Sequence, residues 1–160
     1  MKTRLCTRDP FELLEGLNAI TVFSDAYRRD GLRGYCAMLN RLPYVVINAK
    51  QREEEQRVVA AHEAGHLILH EETLRKQVFR DKNVYDSTSI CEREANLFAA
   101  DFLMDDEEVL SLLREEGADA DGVAKQMGVP TAFFAFKLFS MIERGYRMNM
   151  VPDLNSRCLK

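Results

Sequence analysis

Val58-Val59-Ala60-Ala61-His62-Glu63-Ala64-Gly65-His66-Leu67-Ile68-Leu69 is an apolar run interrupted by two histidines and a glutamate in the pattern H-E-x-x-H. Residues four apart on an α-helix return to nearly the same face one turn along, so His62 and His66 can hold one metal ion from the same side. Glu63 stands beside them, placed to take a proton from a metal-bound water. The neighbouring side chains are small or aliphatic, which predicts a helix buried nearly all round. Two imidazoles and a carboxylate in such a place need something to offset their desolvation, and a metal ion does so. The competing interpretation is a pair of hydrogen-bonded core histidines with a surface glutamate between them.

Zinc is the ion this donor set suits, and a catalytic zinc takes three protein ligands and leaves a fourth position for water. The chain has three histidines, and the remaining one, His70, lies eight residues beyond His62. Eight residues span about 12 Å of helix, too far for both to reach one ion through bonds of roughly 2 Å. His70 therefore reads as a histidine at the helix end. The third ligand must come from another element, and Glu92 and Glu94 are the leading candidates. On a helical wheel Cys91, Ala95, Phe98, Ala99, Phe102 and Leu103 form one apolar face, with Glu92 at its edge and Glu94 pointing further out. Asn96, four residues after Glu92, lies on the same side, where it can orient a metal-bound histidine. The result is a site of two histidines and Glu92, one Zn2+ per chain. Ser89-Ile90-Cys91-Glu92 also fits a capping box, which gives Glu92 a purely structural alternative, and Cys91 reads as core.

The chain has 160 residues, enough for one domain with a substantial core, and a formal net charge of −4. That balance argues against a dominant nucleic-acid surface, although Lys2, Arg4 and Arg8 make the start locally basic. Cys6, Cys36, Cys91 and Cys158 form no C-x-x-C pair, so reduced thiols and a cytoplasmic location are expected. No apolar stretch approaches a membrane span, and no signal-peptide core is present.

Along the chain, Asp9-Pro10 opens a helix to about Leu17, and Ile20–Phe23 reads as a short strand. Leu32–Leu39 and Tyr44–Asn48 read as strands joined by Asn40-Arg41-Leu42-Pro43, a β-hairpin. Asn48 is expected to cap a helix from about Gln51 to Glu71 that carries the motif. Residues 73–87 include Val78-Phe79 and Val84-Tyr85 and read as an irregular loop with a brief strand. Ser89 opens a helix to Met104, Asp105 or Asp106 opens one from Glu107 to Glu116, and Asp119–Met127 and Thr131–Gly145 read as two more, broken by Gly128-Val129-Pro130. Residues 146–160 read as a tail to a single domain with its core over about 10–145.

His62-Glu63-Ala64-Gly65-His66-Leu67-Ile68-Leu69-His70, followed by Glu92-Arg93-Glu94-Ala95-Asn96-Leu97-Phe98-Ala99-Ala100-Asp101-Phe102-Leu103-Met104, resembles the ImmA/IrrE family of zinc metallopeptidases. The glycine-led strand from Gly34 and the strand ending Val46-Ile47-Asn48 resemble that family's hairpin ahead of the active helix. Family members often carry proline after Leu-Met, where this chain has Asp105. The resemblance implies an α+β, zincin-like fold with a small sheet or hairpin before the active-site helix and a helical C-terminal half. It also implies zinc on His62, His66 and Glu92, a catalytic Glu63, and site-specific cleavage of helix-turn-helix repressors of mobile elements or stress regulons.

A substrate held extended by backbone pairing would lie along Gly34–Leu39 or Tyr44–Asn48. Gly34, Tyr44 and Tyr85 are the candidate substrate-binding residues, and Tyr85, Arg80 and Tyr44 the candidate donors to an oxyanion. A rival function comes from Val123–Pro130 and the helix after it, which scan like a DNA-binding helix-turn-helix. Its second helix begins Thr131-Ala132-Phe133-Phe134-Ala135-Phe136-Lys137, a packing face rather than a groove-reading one. A zincin that binds a partner without cutting it is a third alternative.

Overall fold

The computed structural model describes residues 8–76, 79–81 and 89–148. Lys2, Arg4, Cys6, Cys158 and most of the expected tail lie outside that range. Helix α1 (Pro10–Gly16) starts where expected, with the Asp9 carboxylate accepting from the Phe11 amide at 2.9 Å and proline in the first turn. Strand β1 (Ile20–Ser24) follows, then β2 (Gly34–Leu39) and β3 (Leu42–Asn48). The hairpin turn is shorter than the sequence suggests. Asn40 and Arg41 alone make it, at φ 49° and 67°, both in the left-handed region that a two-residue turn demands. Leu42 and Pro43, read as loop because proline resembles a turn residue, already pair with Leu39 and Met38.

The sheet order is β1-β3-β2-β4, with β1 parallel to β3 and the other pairs antiparallel. Strand β4 (Phe79–Asp81) is the brief strand expected within residues 73–87. This order corrects one expectation: among the described residues β3 pairs on both sides over Tyr44–Asn48, and β2 pairs with β3 along its length and with β4 over Gly34–Cys36, so neither Tyr44–Asn48 nor the Gly34 end of β2 offers a free edge to a substrate. The edges are β1 and β4.

Helix α2 (Glu53–Leu69) crosses one face of this sheet and carries the H-E-x-x-H motif. It begins at Glu53 rather than about Gln51, with Arg52 and not Asn48 at the cap position. The Asn48 side chain is engaged elsewhere, donating to the carbonyls of Arg28 and Leu32 at 2.8 and 2.9 Å and accepting from the Lys50 amide. The Arg52 amide instead donates to the Glu55 carboxylate at 3.1 Å, and Glu53, Glu54 and Glu55 place negative charge in the first turn, where it favours the helix. From Val58 to Leu67 every residue is buried, because α2 lies between the sheet, α1 and a second long helix. His70 ends it, and a single turn, α3 (Glu71–Leu74), follows.

That second helix, α4 (Ile90–Leu103), packs along α2. Helices α5 (Asp106–Leu113), α6 (Ala120–Gln126) and α7 (Thr131–Glu143) complete the helical half. Asp105 caps α5 by accepting from the Glu107 and Glu108 amides, and Asp119 caps α6 through Gly122. Helix α5 stops at Leu113, ahead of Gly117, and Gly128 at φ 66° makes the break before Pro130. Among the described residues no helix is long and apolar enough to cross a membrane. The fold is α+β and zincin-like, in keeping with the resemblance.

Candidate metal centre

On α2, His62, Glu63 and His66 are all fully buried. The two imidazole rings meet edge to face, centroids 4.7 Å apart, with the two Nε2 atoms 3.0 Å from each other. Glu92, in the first turn of α4, completes a triangle: one carboxylate oxygen lies 3.2 Å from His62 Nε2 and the other 3.3 Å from His66 Nε2. Ligands bound at about 2.0–2.1 Å to a tetrahedral ion stand roughly 3.3–3.4 Å apart. The three observed separations fall close to that spacing, so the residues present fit a divalent ion of zinc's size. Among the described residues this is the cluster of histidine, cysteine and carboxylate groups close enough to share an ion.

The position of Glu92 distinguishes its two sequence-level roles. Ser89 does cap α4, its hydroxyl accepting from the Glu92 amide at 3.1 Å. The Glu92 side chain, however, turns to the histidines. Burial opposes ionisation of its carboxyl, and hydrogen bonds to His62 and His66 together with their charge overcome that and hold it well below the usual carboxylate range. The carboxylate form is thereby favoured. Glu94 is exposed and lies away from the triangle, 3.5 Å from His70 Nε2. His70 donates to the Cys91 carbonyl at 3.2 Å, which ties the end of α2 to the start of α4.

Asn96, fully buried one turn after Glu92, has its Oδ1 2.9 Å from His62 Nδ1. An amide oxygen only accepts, so His62 Nδ1 carries a proton and Nε2 is the ring atom turned to His66 and Glu92. The buried face of α4 is rotated slightly from the one read on the helical wheel. The buried stripe is Ala95, Asn96, Ala99, Ala100 and Leu103, while Phe98 and Phe102 stack on each other half-buried, 6.1 Å apart. Small residues face α2, and the bulky rings flank the interface.

Gly34 lies at the start of β2, buried beneath α2. A Cβ there would stand 2.4 Å from Val59 Cγ1, 2.9 Å from the Val46 carbonyl and 3.4 Å from Glu63 Oε1. The absence of a side chain lets α2 settle onto the sheet, and Gly34 lies beside the Glu63 carboxylate. Tyr44 is not brought to the cluster. It sits three residues along β3 from Ile47, the partner of Gly34, or about 10 Å away, and on the opposite face from the buried Val45 and Ile47. Tyr85 lies outside the described residues, and Arg80 is placed by its backbone in β4, opposite Tyr35.

The helix-turn-helix candidate is also located. Phe133 and Phe134 of α7 are fully buried, and Lys137, only 1 % exposed, binds Asp101 of α4 at 2.9 Å and Asp106 of α5. Arg144 donates to both of these carboxylates, and the Ser140 hydroxyl donates to Asp101. The face that would have to enter a groove is spent on the helical core. No local pattern in the chain signals this network, because its partners are separated by 31 to 43 residues.

Residues 20–139 match the family model of the IrrE N-terminal-like domain, a stretch that holds the whole sheet and both helices of the cluster. No curated protein matches the chain. A match over three-quarters of the length, on the elements that bring His62, His66 and Glu92 together, means that the chain belongs to the M78 peptidase family and is a metallopeptidase domain.

Proposed function

We propose that the chain is a zinc-dependent endopeptidase that cuts a helix-turn-helix transcriptional repressor at a defined site. The observation that carries the chemistry is the triangle of His62, His66 and Glu92 at tetrahedral spacing with Glu63 on the same helix. The substrate class rests on the resemblance to ImmA/IrrE proteins. A zinc ion held by these three side chains would supply a Lewis acid to the peptide carbonyl and lower the pKa of its water. Glu63 takes the proton of the attacking water and returns it to the leaving amine. Asn96 keeps His62 in the tautomer that presents Nε2, and the apolar walls of α2 and α4 exclude bulk water. A substrate strand would pair with β4, the sheet edge next to the Gly34 end of β2, where Glu63 lies.

The test is incubation of the zinc-loaded protein with a co-encoded helix-turn-helix repressor, alongside Glu63→Gln. The expected result is a single cut by the wild type and a rate about 10²–10⁴ lower for the variant. An intact repressor with the wild type, or equal cutting by Glu63→Gln, would refute the reading.

A further inference from the structure

Gly65 is a glycine in the interior of a 17-residue helix, a position where alanine is the more stable choice. Alanines occupy positions 60, 61 and 64 around it, all fully buried. What distinguishes position 65 is its neighbour. A Cβ on Gly65 would stand 3.1 Å from Phe98 Cδ1 and 3.2 and 3.3 Å from Cα and O of Ala95, so two of its three nearest contacts are α4 backbone. Contacts that tight force a displacement of a few tenths of an ångström.

On its sheet side α2 has little room to yield. Below α2, Val59 presses onto Gly34 so closely that a Cβ there would lie 2.4 Å away, and Val59 is itself buried. Retreat into the sheet is opposed, so the displacement falls on α4. Ala95 is three residues beyond Glu92 on that helix, and Glu92 spans His62 and His66 at 3.2 and 3.3 Å. We infer that Gly65 is a positioning residue for the metal ligands: the close crossing of Gly65 on Ala95, backed by Gly34 under Val59, sets the distance from Glu92 to the two histidines. This rests on the proposed metal site and adds what fixes its dimensions.

The test compares wild type with Gly65→Ala by three measurements: zinc affinity from competition with a chromophoric chelator, the visible spectrum of the cobalt-substituted protein, and thermal unfolding of the metal-free protein. A merely structural glycine would lower unfolding temperature and leave the folded protein's zinc affinity alone. The inference expects metal-free unfolding within a few degrees of wild type, about tenfold weaker zinc binding and a changed cobalt spectrum, the size seen when groups supporting metal ligands are perturbed. Ala95→Ser, which adds one atom to the fully buried residue that Gly65 approaches, should weaken zinc in the same direction and carries the test if Gly65→Ala does not fold. Zinc affinity within about twofold of wild type in the folded variants overturns the inference. Failure of the wild type to bind zinc at all overturns the metal site instead.

Discussion

Replacing Asn96 by leucine removes one hydrogen bond and almost nothing else. The side chains are close in volume, the position is fully buried, and the hydrogen bond that disappears is the one between Oδ1 and His62 Nδ1, 2.9 Å long. Two effects follow and can be separated. In the metal-free protein the His62 Nδ1 proton is left without this acceptor inside the core, at a cost of about 1–3 kcal/mol. Asn96 Nδ2, which makes no hydrogen bond in the structure, is removed at the same time and returns part of that cost. Net destabilisation should therefore lie near the lower end, about 1 kcal/mol, or roughly 2–4 °C in unfolding temperature for a chain of this size. In the zinc-bound protein His62 is free to rotate or to change tautomer, so zinc affinity should fall by about 10–100-fold. The assay is a chelator competition titration beside thermal unfolding of the metal-free form. Reduced stability with unchanged zinc affinity would mean that Asn96 only fills the core, and the orientation argument would fail.

Other expectations follow from interactions away from the triangle. Hydrogen bonds from Arg144, working against burial, and from Lys137 hold the Asp106 carboxyl well below the usual range. A depressed folded pKa stabilises above the unfolded value, near 4, and that contribution disappears as pH falls through the folded pKa. Unfolding midpoints should therefore drop as pH is lowered below about 4, and Asp106→Asn should flatten that slope; an unchanged slope would refute it. Gly34→Ala would drive a Cβ into Val59 and the Val46 carbonyl, an overpacking that costs about 1–3 kcal/mol, visible as a lower unfolding temperature. A variant as stable as wild type would show that α2 is free to lift from the sheet.

The parts of this molecule that are legible in the chain alone are those encoded by neighbours in sequence. Asp9 and Ser89 cap the helices that their side chains predict, and of the alternatives Asp105 and Asp106 it is Asp105 that caps, because a cap joins groups two or three residues apart. The H-E-x-x-H helix and the Glu92/Asn96 side of α4 are readable for the same reason, since helical spacing determines which groups share a face. Parallel pairing of β1 with β3 is not readable, and with it goes the identity of the sheet edges. Tyr44 has suitable chemistry for a substrate or oxyanion contact, yet strand alternation alone puts it on the far face. The Lys137–Asp101–Asp106 network and the closeness of Gly65 to Ala95 depend on how helices pack, which periodicity does not specify.

Bound metal is measured by elemental analysis, after zinc loading, in purified wild type and in Glu92→Ala side by side. The triangle of His62, His66 and Glu92 predicts near one zinc per chain in the wild type and little in the variant. Equal zinc in both proteins, or none in the wild type, would contradict it.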